Sequence, residues 1–283
     1  MKTPNACGIS CMLFFFLPVF CKAQTGLSPH GGSGSLGLAR AFICMPGLPG
    51  VFGNPANLSQ LQGFEAELCL EERFQGAGLR ETSFGFGAHL PIGSLGLGFR
   101  QLGASAYREQ LLQLSYARKL TPGLNIGVRF DAGALGLEAY DSQVMINASL
   151  GMTAALSSKV ATGFFIHHPF RPDAPNTSFM LSAMGVGLYY MPVERFRLVA
   201  DIFKYAMQPP ATRVGIEYRP APAFQIRVGA SVAPYAFSFG LGMDIPGGVR
   251  LQVSSSQHAH LGFSPAIGLQ YRGAFSNMLS PSP

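Results

Sequence analysis

From residue 64 to residue 272 the chain repeats one pattern, short segments in which every second side chain is apolar, and this restricts the fold more than any motif does. In 123–136, Leu124, Ile126, Val128, Phe130, Ala132 and Ala134 fall on one face, with Asn125, Gly127, Arg129, Asp131 and Gly133 on the other. Phe196, Leu198, Ala200 and Ile202 likewise oppose Arg197, Val199 and Asp201. Phe224, Ile226, Val228, Ala230 and Val232 oppose Gln225, Arg227, Gly229 and Ser231. A period of two belongs to strands, because successive side chains point to opposite sides of a sheet. Fourteen such segments are expected, at 64–74, 82–91, 94–102, 107–119, 123–136, 142–156, 159–168, 180–191, 195–205, 211–219, 223–233, 235–244, 248–257 and 262–272. Most connectors are short and contain Gly, Pro, Asn or Asp, as at Pro91-Ile92-Gly93 and Pro246-Gly247-Gly248, which suits hairpins. Only 169–179 and 204–211 are longer.

Two architectures accommodate this pattern, a soluble all-β domain and a closed barrel that crosses a membrane. Charge separates them. Only 12% of the 283 residues are charged, although 48% are hydrophobic; a soluble domain carries roughly 25% charge. The mean hydropathy is +0.25. No internal stretch reaches the roughly 18 consecutive apolar residues of a helical span. Low charge without long apolar runs fits strands whose lipid face is apolar only at alternate positions, each near the roughly 9 to 11 residues a tilted strand needs. The expectation is an all-β, antiparallel transmembrane β-barrel of about fourteen strands, the even number allowing antiparallel closure.

In such a barrel the polar face lines the lumen. Glu65, Glu67, Arg100, Arg129, Asp131, Arg197, Asp201, Glu217 and Arg227 all fall on it, as do Glu71, Arg213 and Arg250. Buried charge is retained mainly when paired, so these groups are expected to pair with one another and to hold whatever fills the lumen.

Little here suggests catalysis, and no enzyme activity, cofactor or metal site is expected. His167-His168 and His258 with His260 lack an HExxH motif or spaced carboxylates, and adjacent histidines in a strand point opposite ways. The serines 254–256 sit in no GxSxG elbow, and Gly93-Ser94-Leu95-Gly96-Leu97-Gly98 alternates and opens no helix. The net charge is +6, or +4 without Lys2 and Lys22, and it is dispersed. Nucleic acid is not an expected partner.

The first 63 residues differ from the rest. Residues 1–24 carry Lys2, the apolar run Met12-Leu13-Phe14-Phe15-Phe16-Leu17 and a plausible cleavage neighbourhood at Lys22-Ala23-Gln24, and are expected to be a signal peptide that is removed. Removal leaves Cys44 and Cys69, too few for a metal framework. Cys69 shares the lumen face of the first strand with Glu65 and Glu67, so a bridge to Cys44 and two free thiols are both open. Within 33–58, glycine at 34, 37, 47, 50 and 53 and proline at 46, 49 and 55 leave no hydrophobic period, yet the stretch is too apolar for a free tail. Asn54 precedes Pro55, which keeps its backbone out of the α region while its side chain can fold back as an Asx turn.

The glycine-rich opening Ser35-Leu36-Gly37-Leu38-Ala39-Arg40-Ala41-Phe42, followed by Asn54-Pro55-Ala56, resembles the N-terminal hatch of the FadL family of outer-membrane barrels and of the related PorV/PorQ-like proteins. The resemblance implies a hatch at 25–63 inside the lumen of a barrel at 64–272, with a tail at 273–283. Gly37, Arg40, Asn54, Pro55 and Ala56 would form the hatch motif. It implies the outer membrane of a Gram-negative bacterium, contact with outer-membrane lipid, and a passive conduit for a small hydrophobic molecule. The alternative it implies is a docking or shuttle component of type IX secretion, partnered by secretion-system proteins. Arg40, if enclosed, should meet a carboxylate, with Glu65, Glu67, Glu71, Asp131, Asp201 and Glu217 as candidates.

Overall fold

The computed structural model describes residues 27–104, 106–138, 140–169, 182–206 and 208–274. The expected leader 1–24, most of the 169–179 connector and most of the tail 273–283 lie outside these. Fourteen strands follow one another: β1 (Phe64–Arg73), β2 (Leu79–Leu90), β3 (Gly93–Ala104), β4 (Tyr107–Thr121), β5 (Leu124–Leu137), β6 (Tyr140–Ala155), β7 (Val160–His167), β8 (Ala183–Val193), β9 (Phe196–Tyr205), β10 (Ala211–Ala221), β11 (Phe224–Val232), β12 (Ala236–Ile245), β13 (Val249–His258) and β14 (Gly262–Gly273). Each pairs antiparallel with the next. β14 returns to β1, from Phe64↔Gly273 to Glu71↔Ala266, and closes the barrel. Closure leaves no unpaired strand edge, which is what a hydrocarbon surrounding demands.

The alternation sorts the faces. Ile146, Phe237 and Val228 point outward and are 77%, 71% and 57% exposed, whereas Arg100, Arg129 and Asp131 point inward and are buried. An apolar outer belt around a closed wall makes this a transmembrane barrel. Two strands depart most from those expected: β8 runs from Ala183 to Val193 where 180–191 is expected, and β2 begins three residues early with Leu79. There Arg80 follows the outward parity although it is charged, so the hydrophobic pattern stops before the backbone pairing does.

The two ends of the barrel differ. At one end, called near here, the connections between Leu90 and Gly93, Thr121 and Leu124, Ala155 and Val160, Val193 and Phe196, Ala221 and Phe224, and Ile245 and Val249 hold two to four residues. β1 starts and β14 finishes at this end. At the far end the connections run up to the fifteen residues between His167 and Ala183.

A lumen of this width is not filled by its own wall. Residues 27–61 fill it. They form the short helix α1 (Ser33–Leu36), two 3₁₀ turns at Leu48–Gly50 and Pro55–Gln60, and otherwise irregular backbone that is almost wholly buried. The main apolar clusters lie between this inner segment and the wall: Phe42, Ile43 and Cys44 against Phe165, Ala183 and Phe203, and Leu48, Val51, Phe52, Leu58 and Leu61 against Ala117. Cys69 lies in a separate cluster with Leu36 and Ala266. Both thiols are free and buried in different clusters, so the Cys44–Cys69 bridge is not formed: a place on the lumen face does not by itself bring Cys69 to Cys44 of the inner segment.

Candidate functional site

The inner segment has too few internal ladders to satisfy its own backbone, so the wall supplies partners. Asp201 of β9 accepts from the backbone N–H of Phe42 at 2.6 Å and of Ile43 at 3.1 Å. Ser238 of β12 accepts from Ala39 N–H at 2.7 Å. Glu67 of β1 takes both the N–H and the hydroxyl of Ser33, at 2.8 and 3.0 Å, and that hydroxyl accepts from Gln252 of β13 at 2.8 Å. Arg129 of β5 donates to the Gly53 carbonyl and is held by Asp131 at 2.8 Å, which also accepts from Gln113.

The residues of the Gly-rich opening and of Asn-Pro-Ala have specific places. Asn54 caps the 3₁₀ turn, its Oδ1 accepting from Ala56 N–H at 3.1 Å while its Nδ2 donates to Ile43 O at 2.8 Å and to the wall carbonyls of Met152 and Phe164 at 3.3 Å. Pro55 follows at the first position of that turn, where a missing N–H costs nothing. Ala56 lies against Gly127 of β5, where an added Cβ would come within 2.5 Å of its nitrogen. Gly37 meets Gly240 of β12, backbone to backbone. Ala39 and Arg40 both adopt left-handed backbone, at φ 54° and 60°. Arg40 ion-pairs with Glu71, one of the six candidate carboxylates, and its carbonyl accepts from Arg213 at 3.1 Å.

Two further groups of inward charges lie along the wall, besides the pair of Arg250 with Asp244. Glu217 takes Arg227 at 2.8 Å and Arg197 at 3.3 Å. Glu81 gathers Arg100, Arg73 and, at 3.2 Å, the ring of His30. Burial, with the Arg100 guanidinium nearby, pulls His30 down to about 3; it is a neutral hydrogen-bonding ring rather than half of an ion pair. Glu65 is partly exposed at the near end and meets Arg272 at 3.4 Å. Ser238, Gln252 and His30 were not singled out in the sequence. The first two follow from lumen-face parity, but nothing marks them as holding the inner segment rather than each other.

At the far end the inner segment stops short of the rim and leaves a cavity of about 330 Å³. Leu36, Ala39 and Phe74 give it apolar surface, and Arg40, Arg213 and Tyr205 give it polar groups. The Arg213 guanidinium lies over the Phe203 ring at 5.3 Å, so its charge is partly covered by aromatic surface. Among the described residues no group of three His, Cys, Asp or Glu side chains is placed to hold a metal ion.

No protein-family model matches the chain, and no curated protein does. Solved structures do. The Ralstonia pickettii toluene transporter TbuX superposes with a TM-score of 0.67 at 13% identity, over 87% of this chain and 99% of that one. The CymD monoaromatic hydrocarbon channel gives 0.65 at 13% identity over 88% and 99%. The Pseudomonas putida toluene transporter TodX gives 0.62 at 14% over 86% and 97%. At such identities the likeness is one of fold.

Proposed function

We propose that the chain is an outer-membrane barrel of FadL-like type, a passive conduit that takes up a small hydrophobic molecule, with 25–63 acting as a plug. In this reading 1–24 is a signal peptide and the far end, with its longer connections, faces outward, as is usual for outer-membrane barrels. The observation that carries the proposal is a lumen closed by 27–61 yet hollowed at the outer end into a partly apolar cavity of about 330 Å³. Such a shape excludes ions while leaving room for a small apolar solute. The structures of similar fold add support, since those proteins are channels for toluene and monoaromatic hydrocarbons.

The test pairs two measurements on one protein. Full-length chain in a planar bilayer should carry no steady ion current, whereas a variant lacking 25–62 should insert and conduct. In cells, the full-length chain should raise the initial rate of toluene accumulation above that of an empty vector. Equal accumulation in both strains would overturn the proposed permeant, and equal tightness of the two proteins would overturn the plug.

A further inference from the structure

On the outer wall of β2 to β4, near the outward end, the apolar belt is interrupted. Thr82, Gln101 and Gln110 stand side by side in one cross-strand row, with Gln110 donating to Gln101 at 3.0 Å. The same row continues through Ala134 to Val144 of β6, which is 74% exposed. Lipid hydrocarbon therefore reaches this level on β6, and three polar side chains occupy it on β2 to β4. The next row outward reads Glu72, Arg80, Gly103, Arg108, Gly136. Arg80 and Arg108 are exposed, and among the described residues neither has an ion-pair partner. With roughly 4.8 Å between neighbouring strands, their α-carbons lie about 10 Å apart across a glycine that has no side chain to fill the gap. Two long guanidinium arms can close over that gap on one phosphate. Glu72 lies on the other side of Arg80, so an anion belongs over Gly103. The row beneath, Phe84, Phe99 and Leu112, is apolar.

We infer that this notch binds a phosphorylated glycolipid of the outer leaflet, its phosphate held by Arg80 and Arg108, its sugar against Thr82, Gln101 and Gln110, and its acyl chains over Phe84, Phe99 and Leu112. A recess of about 630 Å³ adjoins Arg80 and Thr82 and offers Leu70, Val253, Pro265 and Ile267 to a further acyl chain. A second copy of this chain fits less well, because a two-fold contact through the notch would set arginine against arginine. The inference shares with the proposed function only the outward orientation of the far end. The recognition itself is the matching of guanidinium pairs to phosphate.

The experiment uses full-length chain in detergent micelles and native mass spectrometry, with diphosphoryl lipid A as probe and dephosphorylated lipid A as comparison. The native protein should retain one diphosphoryl lipid A and little of the dephosphorylated form. Taking about 1 kcal/mol for each basic residue at a lipid headgroup, the double variant Arg80→Gln/Arg108→Gln should bind on the order of thirtyfold more weakly. Arg118→Gln, at the other end of β4, should bind as the native chain does. Each single variant at 80 or 108 should lose about fivefold, which keeps the test usable if the double variant fails to fold. Unchanged retention in the single variants would overturn the inference. So would equal binding of both lipid forms, or a change of oligomeric state in place of lipid loss. None of these readings depends on whether the lumen conducts toluene.

Discussion

Asn54 joins three layers through one side chain: it caps its own turn, ties back to Ile43, and reaches carbonyls of β6 and β7 in the wall. Removing it leaves buried carbonyls short of a donor, at a cost of about 2 kcal/mol. The expected result of Asn54→Ala is a barrel that still folds around a looser plug. Arg40 is the only Lys or Arg between Lys22 and Arg73, so trypsin cutting after Arg40 reports that loosening. Cleavage should be faster in Asn54→Ala than in the native chain; equal rates would mean the wall bonds contribute nothing. Gly151 opposite is constrained by the same contact, since a Cβ there would fall 1.8 Å from Asn54 Oδ1. The turn at Asn54-Pro55 was legible, because Pro after Asn restricts the backbone locally. Its wall partners were not, because backbone carbonyls leave no mark in a sequence. On the lipid face, Val228→Arg should impair insertion by about 2 to 4 kcal/mol near the midplane. Ser231→Arg, at the edge of the outer cavity, should cost much less, and a urea titration of folding into lipid vesicles compares the two. Parity alone would also pass Gly127→Arg, but there the plug backbone occupies the space a side chain needs.

The inner segment has its own pH dependence through His30. The ring is buried beside Glu81, with the charges of Arg100 and Arg40 acting on it, and its folded value of about 3 lies below its ordinary 6.5. An undocked ring gains a proton below about pH 6.5 that the docked ring refuses. Docking is therefore strongest above that value and weakens as pH falls toward 3, by about 2 kcal/mol at pH 5. Between pH 6.5 and pH 4 the ion current through full-length protein should therefore rise more, or fall less, in the native chain than in His30→Gln, the difference isolating this ring from the other buried groups. An equally acid-sensitive His30→Gln variant would place the effect elsewhere. This segment was the least legible part of the chain. A strand announces its face every second residue, whereas an irregular segment takes its shape from the cavity around it, and Arg40 had six carboxylates open to it until the wall set their heights.

For the molecule as a whole, period-two patterning and low charge were sufficient to anticipate fourteen strands, their direction and their faces, since in hydrocarbon a strand that does not close into a barrel leaves its backbone unsatisfied. The same patterning placed Arg100, Arg129, Asp131, Asp201, Glu217 and Arg227 inside. It could not say which of them would meet each other and which the inner segment, because that depends on strand stagger. Nor did it reveal the notch on β2 to β4, which exists only once Arg80 and Arg108 are brought into one row by the register.

The pairing of Phe64 with Gly273 joins residues about as far apart in sequence as this barrel allows, and contacts of that separation form late because the intervening chain must first be confined. Ser33 spans that seam, bonded on one side to Glu67 of β1 and on the other, through Gln252, to β13. The inner segment therefore clasps the two margins from within, a buckle across the seam as well as the filling of the lumen.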